Sequence, residues 1–198
     1  KKKYDTINRT DVRWKVIKKY IKGKYVLDFC FGTGFFLKKL SKLKVNLYLF
    51  GVDLYKPKKL PKNVKIYKIG SFNDLKNLRF PSKFDTIIVS EVLEHLTYDE
   101  TKKAFRFFRK WIKKDGRLIL TVPYGRKKLI KLLCPYCLKW FHPWLHRRSF
   151  SEKDLVNLLE REKFTLKELD YITFVDFCSM PNLLKKITKL VLLKWFKH

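Results

Sequence analysis

The chain has no apolar run long enough to cross a bilayer as a helix, and no apolar leader follows its basic start. These two absences predict a cytoplasmic protein. Cysteine is scarce, at 4 in 198 residues, which excludes the small secreted class stapled by disulfides. Acidic residues are also few: 18 against 47 lysines and arginines, giving a net charge of +29 and an isoelectric point near 10.0. Such a balance directs attention to nucleic acid or an anionic membrane surface. Lysine, however, is spread over nearly every segment, as genome composition or a hot habitat would also produce. Both origins of the charge stay open. What the chain has in quantity is apolar and aromatic side chains, 46% and 16% of residues, so it is a packed protein rather than a disordered one. Residues 1–198 are expected to form a single domain with a three-layer core.

Two further absences sharpen the reading of residues 26–37. The run Val26-Leu27-Asp28-Phe29-Cys30-Phe31-Gly32-Thr33-Gly34-Phe35-Phe36 reads as strand, tight loop and helix start. A dinucleotide fingerprint would need a third glycine where Leu37 stands, and a P-loop would need Lys-Ser/Thr where Phe35 and Phe36 stand. An acid, Asp28, remains at a strand tip beside a glycine loop. That arrangement suits the cationic amino group of an amino-acid-bearing nucleoside better than a pyrophosphate. A second apolar strand, Leu47 to Gly51, ends at Asp53, followed by Leu54. From Gly34 to Asp53 is about the 20-residue spacing at which a parallel neighbour delivers a carboxylate to a ribose diol.

The rest of the chain continues the alternation. Val12, Trp14, Val16, Ile17, Tyr20 and Ile21 make a helical stripe within 1–24, with Asp11 as a cap. Val64, Ile66 and Ile69 alternate as a third strand that ends at Ser71 and Phe72. Phe84 to Val89 is the fourth, followed by Ser90-Glu91-Val92-Leu93-Glu94-His95-Leu96. Thr97 and Glu100 form a capping box for a helix that stops near Gly116, and Arg117 to Val122 is the fifth strand, ended by Pro123. Residues 25–122 therefore predict an α/β, doubly wound, mostly parallel sheet of the seven-stranded type, Rossmann-like, with helices on both faces. Residues 123–149 interrupt it with a basic, aromatic insertion. Here Cys134, Cys137, His142 and His146 have spacing compatible with zinc; we read the cysteines instead as small fillers of a lid and assign no metal. Ser151 caps a last helix, Phe150 staples onto Leu155, and Leu166 to Phe174 is expected as an antiparallel sixth strand, with a short seventh around 175–178. From Pro181 to His198 an apolar stripe flanked by lysines reads as a basic amphipathic helix, which packs on the domain or touches a membrane.

The glycine loop and the strand-four passage resemble class I S-adenosylmethionine-dependent methyltransferases, the broad group that includes the ubiquinone-biosynthesis enzymes. Asp28, Gly32 and Gly34 match that group's Asp/Glu-x-Gly-x-Gly-x-Gly, with Cys30 in place of the first glycine; Phe84-Asp85 and Val92-Leu93-Glu94-His95-Leu96 match the start and close of its fourth strand. The resemblance implies S-adenosylmethionine as cofactor, held by Asp28, Cys30, Gly32, Gly34, Asp53, Leu54, Ser71, Phe72, Ser90 and Glu91. It offers Arg13 to the cofactor carboxylate, although a solvated arginine is the simpler account. His95 and His146 are candidates for the base that takes a proton from an oxygen acceptor. The acceptor is expected to be a small molecule, lipid or sugar. Glu91-x-x-Glu94-His95 also resembles small-RNA 2'-O-methyltransferases, in which two glutamates and two histidines hold a divalent metal; His146 would be the fourth ligand and RNA the acceptor. A third reading, suggested by Cys30, is a degenerate cofactor domain serving as a basic binding module.

Overall fold

The computed structural model describes residues 9–43, 45–57, 59–124, 131–143, 145–174 and 188–196. Alternation on the first strand, β1 (Tyr25–Phe29), creates the two faces of the sheet. Val26 packs with α1 (Arg9–Tyr20) and α2 (Phe35–Leu40), through Trp14, Ile17, Phe36, Leu37 and Leu40. Leu27 and Phe29 face the other way, into the larger core. The pattern follows from the two-residue period of a strand: successive side chains point to opposite layers.

β2 (Tyr48–Asp53) and β3 (Val64–Lys68) extend the sheet to one side of β1, and a short 3-10 turn (Phe72–Asn77) follows. β4 (Phe84–Ser90) lies on the other side of β1, then comes α3 (Tyr98–Trp111), then β5 (Ile112–Tyr124). β4 repeats the alternation, with Ile88 towards α1 and α2 and Ile87 and Val89 towards α3. Thr97 and Glu100 form the expected reciprocal capping box on α3, whose Ala104, Phe105 and Phe108 are buried. Gly23, at φ +68, turns the chain into β1 where no side chain fits: a Cβ there would lie 2.2 Å from Asp85 Cγ. Among the described residues no helix is long and apolar enough to cross a membrane.

The second half departs from expectation in three places. The insertion carries its own small antiparallel hairpin, β6 (Leu132–Leu133) with β7 (Trp140–Phe141). After α4 (Glu152–Arg161), capped by Ser151 and Asp154, comes β8 (Thr165–Phe174). β8 is not antiparallel to the first five strands. It pairs antiparallel with β9 (Thr188–Phe196), which pairs antiparallel with β5, so β8 runs parallel to β1–β5 and β9 alone is reversed. Residues 188–196 are thus strand where an amphipathic helix was expected, because β5 and β8 both offer open edges that this segment fills. The short strand expected at 175–178 lies outside the described residues. Among the described residues the sheet has seven strands, in the order β3-β2-β1-β4-β5-β9-β8.

Candidate active site

The carboxyl ends of β1, β2, β4 and β5 converge on one edge of the sheet. At β1, Asp28 is buried, 1% exposed, and its Oδ2 has no hydrogen-bond partner. Burial holds its carboxyl well above the usual range, and the neighbouring Asp53 charge adds to the effect. A buried, unpaired carboxyl is costly unless a cation or donor meets it. The amino group expected from the sequence is such a partner, so these residues fit an amino-acid-bearing nucleoside.

The loop after Asp28 turns through three left-handed residues, Cys30 at φ 54, Gly32 at φ 54 and Gly34 at φ 71. Cys30 therefore adopts the conformation that glycine would supply, at the strain a side chain carries there. Its amide donates to Val52 O at 2.7 Å, and burial pushes its thiol pKa up. Asp53 accepts from the Gly32 amide at 2.7 Å through Oδ2 and from the Tyr55 amide at 3.0 Å through Oδ1. A Cβ on Gly32 would meet nothing within 4 Å, so the loop is open on the side where a ligand would approach. Leu54 is exposed at the rim of β2. Ser71 caps the 3-10 turn by accepting from the Asn73 amide, and Phe72 is buried with its ring edge-on to Phe29.

At β4, Ser90 Oγ is 2.8 Å from Thr121 Oγ1, and Thr121 also donates to Glu91 Oε1 at 3.2 Å. Glu91, at φ 56, is half-buried, and its Oε2 lies 3.0 Å from Arg13 of α1. Burial raises the Glu91 pKa, with the Arg13 charge acting against it. Arg13 is thus an ion-pair partner at the strand end rather than a solvated side chain. Thr121 was not singled out from sequence; its signal was a lone hydroxyl in the apolar run Leu118-Ile119-Leu120-Thr121-Val122.

The loop after β4 brings Glu94, His95 and His146 together. Their ligand-type atoms all lie within 4.8 Å of one another, and among the described residues no other such grouping of acids, histidines and cysteines occurs. Glu94 is 1% exposed and neither carboxylate oxygen has a hydrogen-bond partner. Burial, and then the Glu91 charge, push its pKa up to about 8. The His95 and His146 rings meet edge-on at 4.9 Å, and His146 stacks on buried His142 at 4.4 Å. Burial lowers the His95 pKa, so the ring is a neutral base near neutral pH. The main chain fixes this meeting: the amides of Arg147 and Arg148 donate to Glu94 O at 2.8 and 3.2 Å, and Arg148 Nη2 donates to Leu93 O at 3.0 Å. No sequence spacing signals that Arg148 ties the insertion to the β4 loop. Cys134 and Cys137 lie in the β6–β7 turn and are not part of the cluster, so the zinc-type set of two cysteines and two histidines is not gathered.

The sequence profile of the "Methyltransferase domain" family matches residues 11–169. No curated protein matches the chain. Among solved structures, the chain is similar to a Burkholderia thailandensis 1,6-didemethyltoxoflavin-N1-methyltransferase with bound 1,6-didemethyltoxoflavin and S-adenosylhomocysteine (TM-score 0.67, 16% identity, covering 99% of this chain and 80% of that one). It is also similar to a SAM-dependent methyltransferase from Archaeoglobus fulgidus (0.66, 16%, 94% and 93%) and to the glycopeptide N-methyltransferase MtfA (0.65, 12%, 98% and 92%). At these identities the likeness shows the fold. With the match spanning most of the chain, from α1 into β8, and the acid-flanked glycine loop at its centre, this protein belongs to the methyltransferase-domain family.

Proposed function

We propose that the chain transfers the methyl group of S-adenosylmethionine to a small-molecule acceptor, a class that includes lipids and sugars. One observation carries the reading: the buried Asp28 carboxyl, with an oxygen lacking a partner, beside a glycine loop that Asp53 holds open. Related solved structures contain S-adenosylmethionine, sinefungin or S-adenosylhomocysteine, which supports this cofactor. When bound, the cofactor supplies an already activated methyl carbon. The chain's part is to bind and align. Asp28 offers a carboxylate to the amino group, Asp53 keeps lone pairs for the ribose, and Gly32 leaves room for close approach. His95, neutral, or His146 takes the proton of the acceptor. Calorimetric titration with S-adenosylhomocysteine tests the cofactor half, followed by methyl-transfer assays on pooled lipid, sugar and small-molecule acceptors. Absence of any binding heat would refute it.

The Glu94, His95 and His146 cluster favours a second reading, metal-assisted transfer to a hydroxyl, with an RNA ribose among the acceptors. Two histidines and one carboxylate form a set that binds divalent transition metals and leaves coordination positions open. A cation there would lower the pKa of a bound hydroxyl. Equilibrium dialysis against manganese should show one site per chain that Glu94→Gln removes while S-adenosylhomocysteine binding persists. Equal uptake by Glu94→Gln would dismiss the metal and leave the histidines as bases.

A further inference from the structure

The β6–β7 hairpin presents apolar side chains where a soluble surface has none to spare. Of the thirteen large hydrophobic residues exposed among the described ones, seven fall between Leu132 and Leu145. Tyr136 is 95% exposed, Leu145 72%, Leu138 70% and Trp140 65%. Scattered single exposures need no explanation, but a contiguous set on one projection marks an interaction surface. Both residues of each strand, Leu132–Leu133 and Trp140–Phe141, are exposed, so neither face of the hairpin is covered by the domain.

The charge around the hairpin selects the partner. Between Asp115 and Glu152 the sequence contains no acidic residue, while Lys131, Lys139 and Arg147 lie in or near the described part of the hairpin. A second copy docking by this surface would set like charges against each other, and the chain as a whole carries +29. An anionic surface complements it. The exposed residues include four leucines, which have no ring to stack on a base, so an apolar interior behind the anionic layer fits better than RNA.

The backbone at the tip also suits a medium of low polarity. The Cys134 amide donates to Lys139 O at 3.0 Å and the Leu138 amide to Cys134 O at 2.9 Å. Between these bonds, Pro135 has no N–H to satisfy. These bonds reduce the number of tip amides that would be desolvated without a partner, a cost that opposes entry into a lipid interface.

We propose that the β6–β7 hairpin is a membrane-interface anchor, placing Tyr136, Leu138 and Trp140 among the acyl chains and headgroups of an anionic bilayer while Lys131, Lys139 and Arg147 contact the lipid phosphates. Tyrosine and tryptophan favour this depth because one end of each ring system is polar. Apolar insertion and charge attraction act together in such peripheral anchors. The inference is independent of which cofactor or acceptor the domain uses.

Flotation of the full chain with phosphatidylcholine vesicles, with and without phosphatidylglycerol, tests it. The protein should float with the phosphatidylglycerol vesicles, its tryptophan emission should shift to the blue, and the shift should shrink in Trp140→Phe. Leu138→Glu/Trp140→Glu, changed at two exposed positions, should reduce partitioning by at least roughly tenfold, with far-ultraviolet circular dichroism unchanged. Three outcomes would overturn the proposal: no flotation with either vesicle, flotation of the double variant equal to that of the unaltered chain, or loss of all flotation in moderate salt without any emission shift. Light scattering that shows a dimer lost in the double variant would instead assign the hairpin to self-association. Retained RNA binding that the double variant alone loses, without vesicle binding, would assign it to nucleic acid.

Discussion

The Gly32 amide donates to Asp53 Oδ2 across 2.7 Å, so the carboxylate at the end of β2 holds the glycine loop that follows β1. One side chain thereby has two duties, shaping the loop and meeting a ribose. Asp53→Ala should weaken S-adenosylhomocysteine binding by about 1.5–3 kcal/mol, the range for hydrogen bonds to a charged group. Asp53→Asn, which keeps one acceptor oxygen, should recover part of the loss. Calorimetric affinities for the three proteins decide the matter, and an unchanged affinity in Asp53→Ala would contradict the role given to it.

Asp28 predicts a proton release. Its carboxyl titrates well above the usual range in the free protein because it is buried and close to Asp53. A cationic amino group placed beside it favours the ionised form, so below the raised pKa binding expels a proton. Titrations in two buffers of different ionisation enthalpy should give different heats, and Asp28→Asn should make them equal. Equal heats with the unaltered protein would sink the assignment.

Asp85 predicts how stability responds to acid. Burial alone would raise its pKa, but Lys113 at 2.7 Å and the amides of Tyr25 and Lys24, at 2.9 and 3.0 Å, outweigh it and hold the carboxyl below the usual range. A depressed folded-state pKa stabilises the fold above the unfolded value, about 3.9, and that stability is lost as the pH falls through the folded value. Asp85→Asn should cost about 1–3 kcal/mol at neutral pH, and its deficit should shrink as the pH falls below about 4. Urea unfolding at several pH values measures this; a deficit that does not change with pH would show that charge is not the cause.

The first half of the fold was legible because its signals are local. Asp28, Gly32 and Gly34 carry their own turn geometry, and Thr97 with Glu100 announces a helix start that the structure repeats bond for bond. The second half was not, because its decisive contacts are distant. Leu183, Leu184, Ile187, Leu190, Val191 and Trp195 satisfy a helical period, yet 188–196 become β9 because two strand edges wait for them. Propensity and periodicity yield to such tertiary pairing. The site divides in the same way. The two acids flanking the loop follow from spacing, whereas the meeting of Glu94 and His95 with His146 depends on Arg147 and Arg148 closing onto the Glu94 carbonyl.

The place of β9 in the sheet orders the assembly of the molecule. Among the described residues β8 has no ladder partner except β9, and β9 lies between it and β5. During synthesis β5 therefore emerges with an unfilled edge and β8 with no neighbour at all, and both wait for residues 188–196. Open edges of this kind are where nascent chains pair wrongly with one another. β9 is the keystone, and removing 188–196 should leave the first five strands paired while β8 loses its place in the sheet, a separation that hydrogen exchange would report as selective loss of protection in 165–174.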